Sequence, residues 1–281
     1  MTHLLTEIRT ALEGHYDPSE LPTVAKALCC EGLGISDSDY YLRTPLTLSG
    51  GQLSWLDQAL RRLQAGEPLQ YVLGTAPFGG LAMHVDSRVL IPRPETAELA
   101  PLVARLPQQA AVLDVGTGSG CIAISVAKAC PALSVVACDV SADALAVARS
   151  NALTAGADVR FIQADVLDVT SAAAALPRSF TCIVSNPPYI PAMERVLMER
   201  RVTDWEPSLA LFVPDHDPLL FYRALARLGR TPVLAEGGWM AVEVNATFAY
   251  ETAVLFTFYG YEDVRTEHDL YGKPRFVVCR K

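Results

Sequence analysis

Apolar residues recur at three- and four-residue spacing from the start of the chain: Leu4, Leu5, Ile8 and Leu12, then Leu21, Val24, Ala25 and Leu28. That spacing lines one face of a helix, so residues 1–70 are expected to form a small helical domain. Asp17 followed by Pro18 offers the second helix an N-cap and a first-turn proline. In "LTLSGGQLSWLDQALRRLQAG", residues 46–66, Ser49 and Gln52 have capping-box spacing and Gly66 supplies the stop. The pattern then changes. Residues 71–93, rich in Gly, Pro and alternating apolar positions, read as a hairpin-like connector.

From residue 94 onward, strand-like and helix-like segments alternate. "PETAELAPLVARL" predicts a helix with Pro94 in its first turn and Glu95 close behind. It is followed by "AAVLDV", "CIAISVAKAC", "LSVVACD", "ADALAVARSNALTAG", "VRFIQAD" and "FTCIVSN", with later strands near "GGWMAVEV" and "PRFVVCRK". Such alternation implies an α/β domain over residues 94–281, a mostly parallel sheet with helices on both faces. "SAAAALP" is expected to be a surface helical turn or loop.

Composition narrows the class. With 281 residues, 51% of them hydrophobic and 19% charged, the chain can bury one large core and a smaller one. A formal net charge of -8 argues against a general nucleic-acid binder, which would neutralise phosphates with surplus Lys and Arg. The 7 cysteines include no C-x-x-C pair and several fall within apolar runs, so they read as reduced core residues, with no metal site expected. The amino terminus lacks a signal-peptide layout and no apolar run is long enough to span a bilayer. A cytoplasmic enzyme with no membrane partner is the expectation.

The candidate chemistry lies at the strand ends. "VLDVGTGSGCIAI" runs from a strand through Gly116, Thr117, Gly118, Ser119 and Gly120 into a helix, and glycines there let backbone turn sharply and approach a ligand. A tight turn without a ligand is the alternative. The spacing G-x-G-x-G after Asp114 departs from the dinucleotide pattern and favours a ligand without a pyrophosphate. Asp139 closes the next strand at the distance at which an acid reaches ribose hydroxyls, and Asp165 with Val166 closes the third. Taken singly, each aspartate is more often a solvated loop residue or a helix N-cap. Together they line one crevice.

This arrangement resembles the Rossmann-like class I S-adenosyl-L-methionine-dependent methyltransferases, a family with a mostly parallel seven-stranded sheet. The resemblance implies that the glycine turn meets the methionine part, Asp139 the ribose, and Asp165 with Val166 the adenine, while Asp114 helps hold the ammonium directly or through water. "SNPPYI" matches the Asn-Pro-Pro-Tyr motif of methyltransferases acting on amide or exocyclic amine nitrogens. A nitrogen conjugated to a π system is a poor nucleophile because its lone pair is delocalised. Two acceptors on its hydrogens, the Asn186 side-chain oxygen and the Pro187 carbonyl, would favour pyramidal geometry. Prolines 187 and 188 fix φ and remove competing donors, and Tyr189 would pack its ring on the planar acceptor.

"EPLQYVLGTAPFGGLAMHVDSRVLIPRPETAEL", "DWEPSLALF" and "HDLYGKPRFVV" extend the likeness to nearly the whole chain, which resembles the HemK-type protein-(glutamine-N(5)) methyltransferases, also called PrmC. That resemblance implies methylation of the glutamine in the Gly-Gly-Gln loop of class I peptide chain release factors. By it, Asn186, Pro187 and Tyr189 are catalytic, Asn186 to Tyr189 bind the substrate, and Asn186 also borders the cofactor. The helical domain would dock the protein substrate. Nucleic-acid amine methyltransferases share the Asn-Pro-Pro-Tyr motif, and ribosomal-protein glutamine is another possible acceptor. Arg9, Lys26, Arg43, Arg61 and Arg62 are outnumbered by acids in the first 70 residues, a poor match to phosphate, so no direct nucleic-acid substrate is expected.

Overall fold

The computed structural model describes residues 1–107 and 110–281. It divides into two units, Met1–Thr75 together with Glu199–Trp205, and Ala76–Met198 together with Glu206–Lys281. The first is helical: α1 (Thr2–Leu12), α2 (Leu21–Ala27), α3 (Asp37–Leu42), α4 (Gly50–Gln64) and α5 (Leu69–Leu73). Leu4, Leu5, Ile8 and Leu12 of α1 meet Leu56, Ala59, Leu60 and Leu63 of α4 in one core. Each fully buried leucine contributes about 1.5–3 kcal/mol by leaving water.

Local signals set the helix ends. The Ser49 hydroxyl accepts from the Gln52 amide N–H at 3.2 Å, while Gln52 Oε1 accepts from the Ser49 N–H at 3.0 Å, completing the capping box. Gly66 ends α4 with φ +88°. Asp17 does not cap α2. Its carboxylate instead accepts from the Ser19 N–H and hydroxyl in a local turn, and α2 begins at Leu21 with Pro22 in its first turn. A carboxylate two residues from a free N–H closes the shorter ring first. Beyond α2 the chain continues as one turn of π-helix, Leu28–Gly32.

The second unit opens with a hairpin, β1 (Thr75–Phe78) and β2 (Leu81–His84), turning on Gly79 and Gly80 at positive φ. The segment predicted as a helix from Pro94 is 3₁₀ over Pro94–Glu98 and becomes α6 only over Leu99–Arg105. Then come β3 (Ala111–Val115), α7 (Cys121–Ala129), β4 (Ser134–Asp139), α8 (Ala142–Ala155), β5 (Val159–Gln163), α9 (Val169–Ala175), β6 (Phe180–Ser185) and β7 (Ile190–Pro191). The helical turn α10 (Arg200–Thr203) lies in the segment that belongs to the first unit, where Arg201 stacks 3.6 Å from the Tyr16 ring centre and pairs with Glu20. Because of this excursion the division is discontinuous, in place of the contiguous blocks that the sequence pattern predicts. The chain ends with β8 (Phe212–Val213), α11 (Leu220–Gly229), β9 (Leu234–Glu243), α12 (Ala249–Phe258), β10 (Glu262–His268) and β11 (Pro274–Arg280).

Seven strands form the main sheet in the order β10-β11-β9-β6-β3-β4-β5. The neighbours from β9 to β5 are parallel, and β11 runs antiparallel to both β9 and β10. Helices cover both faces, which is why β3 and β4 read as unbroken apolar runs rather than alternating ones. Leu113, Val115, Ile183, Met240 and Val242 join the core made with α9, α11 and α12. Side chains of the opposite parity face α6 and α7. Five cysteines, Cys29, Cys121, Cys138, Cys182 and Cys279, are buried and free. Among the described residues no helix is long and apolar enough to cross a membrane.

If the capping box holds α4 as described, Ser49→Ala lowers stability by about 1 kcal/mol, read as a smaller urea midpoint at unchanged slope. An unchanged midpoint would show that the box carries no weight.

Candidate active site

Strand register builds the site. Val115 pairs with Cys138 on one side and Ser185 on the other, and Ser185 pairs with Val242. The residues one step further, Gly116, Asp139, Asn186 and Glu243, therefore form a row along the carboxyl edge of the sheet. The strand order reverses between β3 and β6, so the crevice opens there, where ligands bind in open α/β sheets. A cavity of about 250 Å³ occupies this place.

The glycine turn forms one wall. Gly116 and Thr117 donate their N–H groups to the Cys138 carbonyl at 2.8 and 3.0 Å, and Gly118 donates to Asp139 Oδ2 at 2.9 Å. Gly116 and Gly118 have φ of +71° and +54°, and a Cβ on either would meet no atom within 4 Å, so it would project into open space. Gly120 differs. It lies off the cavity at φ +84°, and a Cβ there would stand 3.1 Å from Ala148 and Ile124. Its task is close packing of α7 on α8 rather than approach to a ligand. The buried Asn151 fastens the turn from behind, donating to the Ser119 carbonyl at 2.9 Å and to the His84 carbonyl at 3.0 Å.

Asp114 sits beneath the turn and does not line the cavity. Parity explains this: Leu113 and Val115 face α11, and Asp114 faces α7. Its Oδ2 accepts from the Thr117 hydroxyl at 2.6 Å and the Ala123 N–H at 3.1 Å, while its buried Oδ1 has no partner among the described residues. Desolvation pushes its carboxyl up to about 7, although those two bonds oppose the shift. Asp139 lines the cavity, with Oδ1 accepting from the Ser141 N–H at 2.9 Å, and burial raises its carboxyl above the ordinary range. Asp165, Val166 and Leu167 line the far wall, Asp165 being exposed and turned back by a bond from the Leu167 N–H.

Asn186, Pro187 and Pro188 line the cavity beside the glycine turn, but Tyr189 does not. Tyr189 turns inward, packs on the core and donates to Glu243 Oε1 at 3.2 Å. Its expected stacking on an acceptor is therefore absent from this geometry. Asn186 Nδ2 donates to the Thr96 hydroxyl at 3.1 Å, and Thr96 donates to Glu243 Oε2 at 2.7 Å. Glu243 is fully buried, and desolvation raises its carboxyl to about 7.

Sequence reasoning missed Glu243 and Thr96 as well as Glu206. The last is buried, accepts from Arg93 at 2.7 Å and from the Ile91 N–H at 3.0 Å, and so pins the loop that borders the cavity. An acid ending the apolar strand "WMAVE" was the available signal for Glu243. Thr96 lies within the family-like stretch ending "IPRPETAEL", but nothing in that stretch shows that its partners lie 90 and 147 residues away.

The fold and this site define an α/β methyltransferase. The PrmC N-terminal domain family matches residues 3–74 and the Methyltransferase small domain family matches residues 98–202. A release factor glutamine methyltransferase of Bacteroides thetaiotaomicron is 42% identical over 282 residues, covering 100% of each chain. Another of the same description, from Flavobacterium psychrophilum, is 36% identical and covers 97% of this chain and 96% of its own. A crystal structure of a methyltransferase from Pyrococcus furiosus shares the fold, with TM-score 0.52 at 18% identity over 72% of this chain and 89% of its own. The chain belongs to the PrmC family of release factor glutamine methyltransferases, and is thereby S-adenosyl-L-methionine-dependent.

The residues present fit that cofactor. Open glycine walls leave room for it, and the unpartnered Asp114 oxygen under the turn is the kind of acceptor an ammonium or its bound water needs.

Two outcomes test this description. Gly120→Ala should lose more stability than Gly118→Ala, since both pay the positive-φ strain of about 1–2 kcal/mol but only Gly120 also crowds α8. Gly118→Ala should instead weaken cofactor binding in calorimetry. The second outcome concerns pH. Asp114 is raised from 3.8, and Glu243 from 4.5, each to about 7. Between these limits the folded protein binds more protons than the unfolded chain, so stability falls as pH rises from about 4 to 7 and levels above. Asp114→Asn removes one proton from that slope, measurable by urea unfolding of cofactor-free protein across the range.

Proposed function

We propose that the protein transfers a methyl group from S-adenosyl-L-methionine to the side-chain amide nitrogen of the glutamine in the Gly-Gly-Gln motif of class I peptide chain release factors. Full-length relatives with that description support the reading, and the single observation that carries it is the placement of Asn186 and Pro187 on the cavity wall adjoining the glycine turn. In this reading the turn and Asp139 hold the cofactor, with Asp165, Val166 and Asn186 at its edges and Asp114 acting from below.

When bound, S-adenosyl-L-methionine supplies an electrophilic methyl carbon on a positively charged sulfur. The chain supplies orientation. Asn186 Oδ1, left free because Nδ2 is committed to Thr96, accepts one amide hydrogen of the glutamine. The Pro187 carbonyl accepts the other; proline at 188 has no N–H to compete with it. Holding both hydrogens out of the amide plane would localise the nitrogen lone pair for in-line attack; the sulfur–methyl bond would break as the N–C bond forms, releasing S-adenosyl-L-homocysteine, and the surplus proton on nitrogen would pass to water. Positioning and fixed dipoles do this work without a dedicated base. The helical unit is assigned the docking of the release factor.

Asn186→Ala should lower transfer by about 100-fold or more while cofactor affinity stays within a few-fold. The assay incubates labelled cofactor with a release factor or with nucleic acid. Label in the release factor, lost in a Gln→Ala version of its Gly-Gly-Gln motif, is the expected result. Label in nucleic acid, or undiminished transfer by Asn186→Ala, would overturn the reading.

A further inference from the structure

The amide of Asn186 has two orientations that fill the same space and present opposite faces to the cavity. One offers its oxygen to a substrate N–H; the other offers its own NH2, which repels a substrate NH2. Something must choose between them, and the hydrogen-bond inventory shows what does. Glu243 as a carboxylate has no proton, so both its oxygens can only accept. Oε1 receives the Tyr189 hydroxyl at 3.2 Å and Oε2 the Thr96 hydroxyl at 2.7 Å. Thr96 has one hydrogen, and it is spent on Glu243. Its oxygen can then only accept from Asn186, and the group that donates is Nδ2, at 3.1 Å. The Oδ1 of Asn186 is left toward the cavity it lines.

We infer that Thr96 and Glu243 are positioning residues that fix the polarity of the Asn186 amide, so that the acceptor face alone meets the substrate. The inference rests on the proposed role of Asn186 and adds a cause for its orientation. Donation runs one way along the chain, from the Asn186 amide to the Thr96 hydroxyl to the Glu243 carboxylate, so the acceptor-only carboxylate sets the sense of every bond before it. Thr96 is 2% exposed and Glu243 0%, so the chain runs through low-dielectric surroundings in which leaving any of its donors or acceptors unpaired is costly.

The same chain predicts a proton dependence. A protonated Glu243 gains a donor and can give it to Thr96, which then turns its own hydrogen toward Asn186 and stabilises the flipped amide. Burial raises the Glu243 carboxyl to about 7, placing that event near neutral pH. The groups facing Glu243 are Arg275 from β11, Glu95 and Thr96 from the 3₁₀ segment, Tyr189 after β6, the Tyr222 hydroxyl from α11 on its backbone carbonyl, and Cys121 from α7. Arg275 favours the charged form and Glu95 opposes it, while Arg275 is itself held by Asp269 at 3.2 Å. The carboxylate is the competent form, so turnover should fall as pH drops through this value.

Three variants of the full chain test the inference with a release factor as substrate. Thr96→Val should lower kcat by about 10- to 100-fold with the cofactor KM unchanged, and Thr96→Ser should restore it to within about 3-fold. Glu243→Gln, close in shape and without a titrating proton, should remove the acid limb of the kcat profile that the wild type shows near neutral pH. Wild-type kcat in Thr96→Val, or an acid limb that persists in Glu243→Gln, would overturn the inference; a merely structural loss would lower activity at every pH and leave the limb in place. Asn186→Ala separates the two readings. If it is inactive while Thr96→Val is fully active, only the orientation chain fails. If it is fully active, the role of Asn186 fails and the chain fails with it.

Discussion

The Ser185 hydroxyl donates to the Val115 carbonyl at 2.7 Å, tying together the last residues of two parallel strands. On that join rests the whole site, because the next residue on one strand is Gly116 and on the other Asn186. A shift of one residue between β3 and β6 would turn Asn186 to the opposite face of the sheet and away from Thr96. Register here is held by more than this bond. Leu113 and Ile183 occupy the α11 face, and a one-residue slip of β3 would put Asp114 there in place of Leu113. A carboxylate forced into that apolar layer is far more costly than the strand pairing it would replace.

The same alternation explains which polar groups are buried and where. Asp114, Asn186 and Glu243 share the parity that faces α6, α7 and the 3₁₀ segment, so these two acids and the amide lie on one side of the sheet, while Ser185 has the parity of Val115 and Val242 on the other. Two of the three are acids held at raised proton affinity by desolvation, and each is tied by hydroxyls: Thr117 on Asp114, Thr96 and Tyr189 on Glu243. A buried carboxylate with directional donors costs stability and gains orientation. The arrangement trades the first for the second.

Much of this was legible in the chain. Strand and helix alternation, the capping box at Ser49 and Gln52, the glycine turn and the crevice residues Asp139, Val166, Asn186 and Pro187 all follow from short-range pattern, because the relevant spacing lies within one element or one strand-turn-helix unit. What was not legible depends on distant parity and return. Asp114 reads as an acid that meets the ammonium directly or through water; β3 alternation places it beneath the turn, facing α7 and off the cavity wall, which no local pattern shows. Tyr189 reads as a stacking ring until its hydroxyl finds Glu243, 54 residues on. Gly120 reads as the third ligand glycine, but Ala148 on the neighbouring helix is what requires it. The excursion of Glu199–Trp205 into the helical unit carries no local mark, since Arg201 finds Tyr16 only in three dimensions.

The central claim is geometric: one side-chain carbonyl and one backbone carbonyl, fixed beside the glycine turn, receive both hydrogens of a primary carboxamide. A crystal structure with demethylated cofactor and a release factor carrying its Gly-Gly-Gln loop tests it directly. The account predicts the glutamine nitrogen within about 3.2 Å of both Asn186 Oδ1 and the Pro187 oxygen, facing the cofactor sulfur. A glutamine bound with its nitrogen turned away from either oxygen, or a cofactor seated away from Gly116 and Asp139, would contradict it.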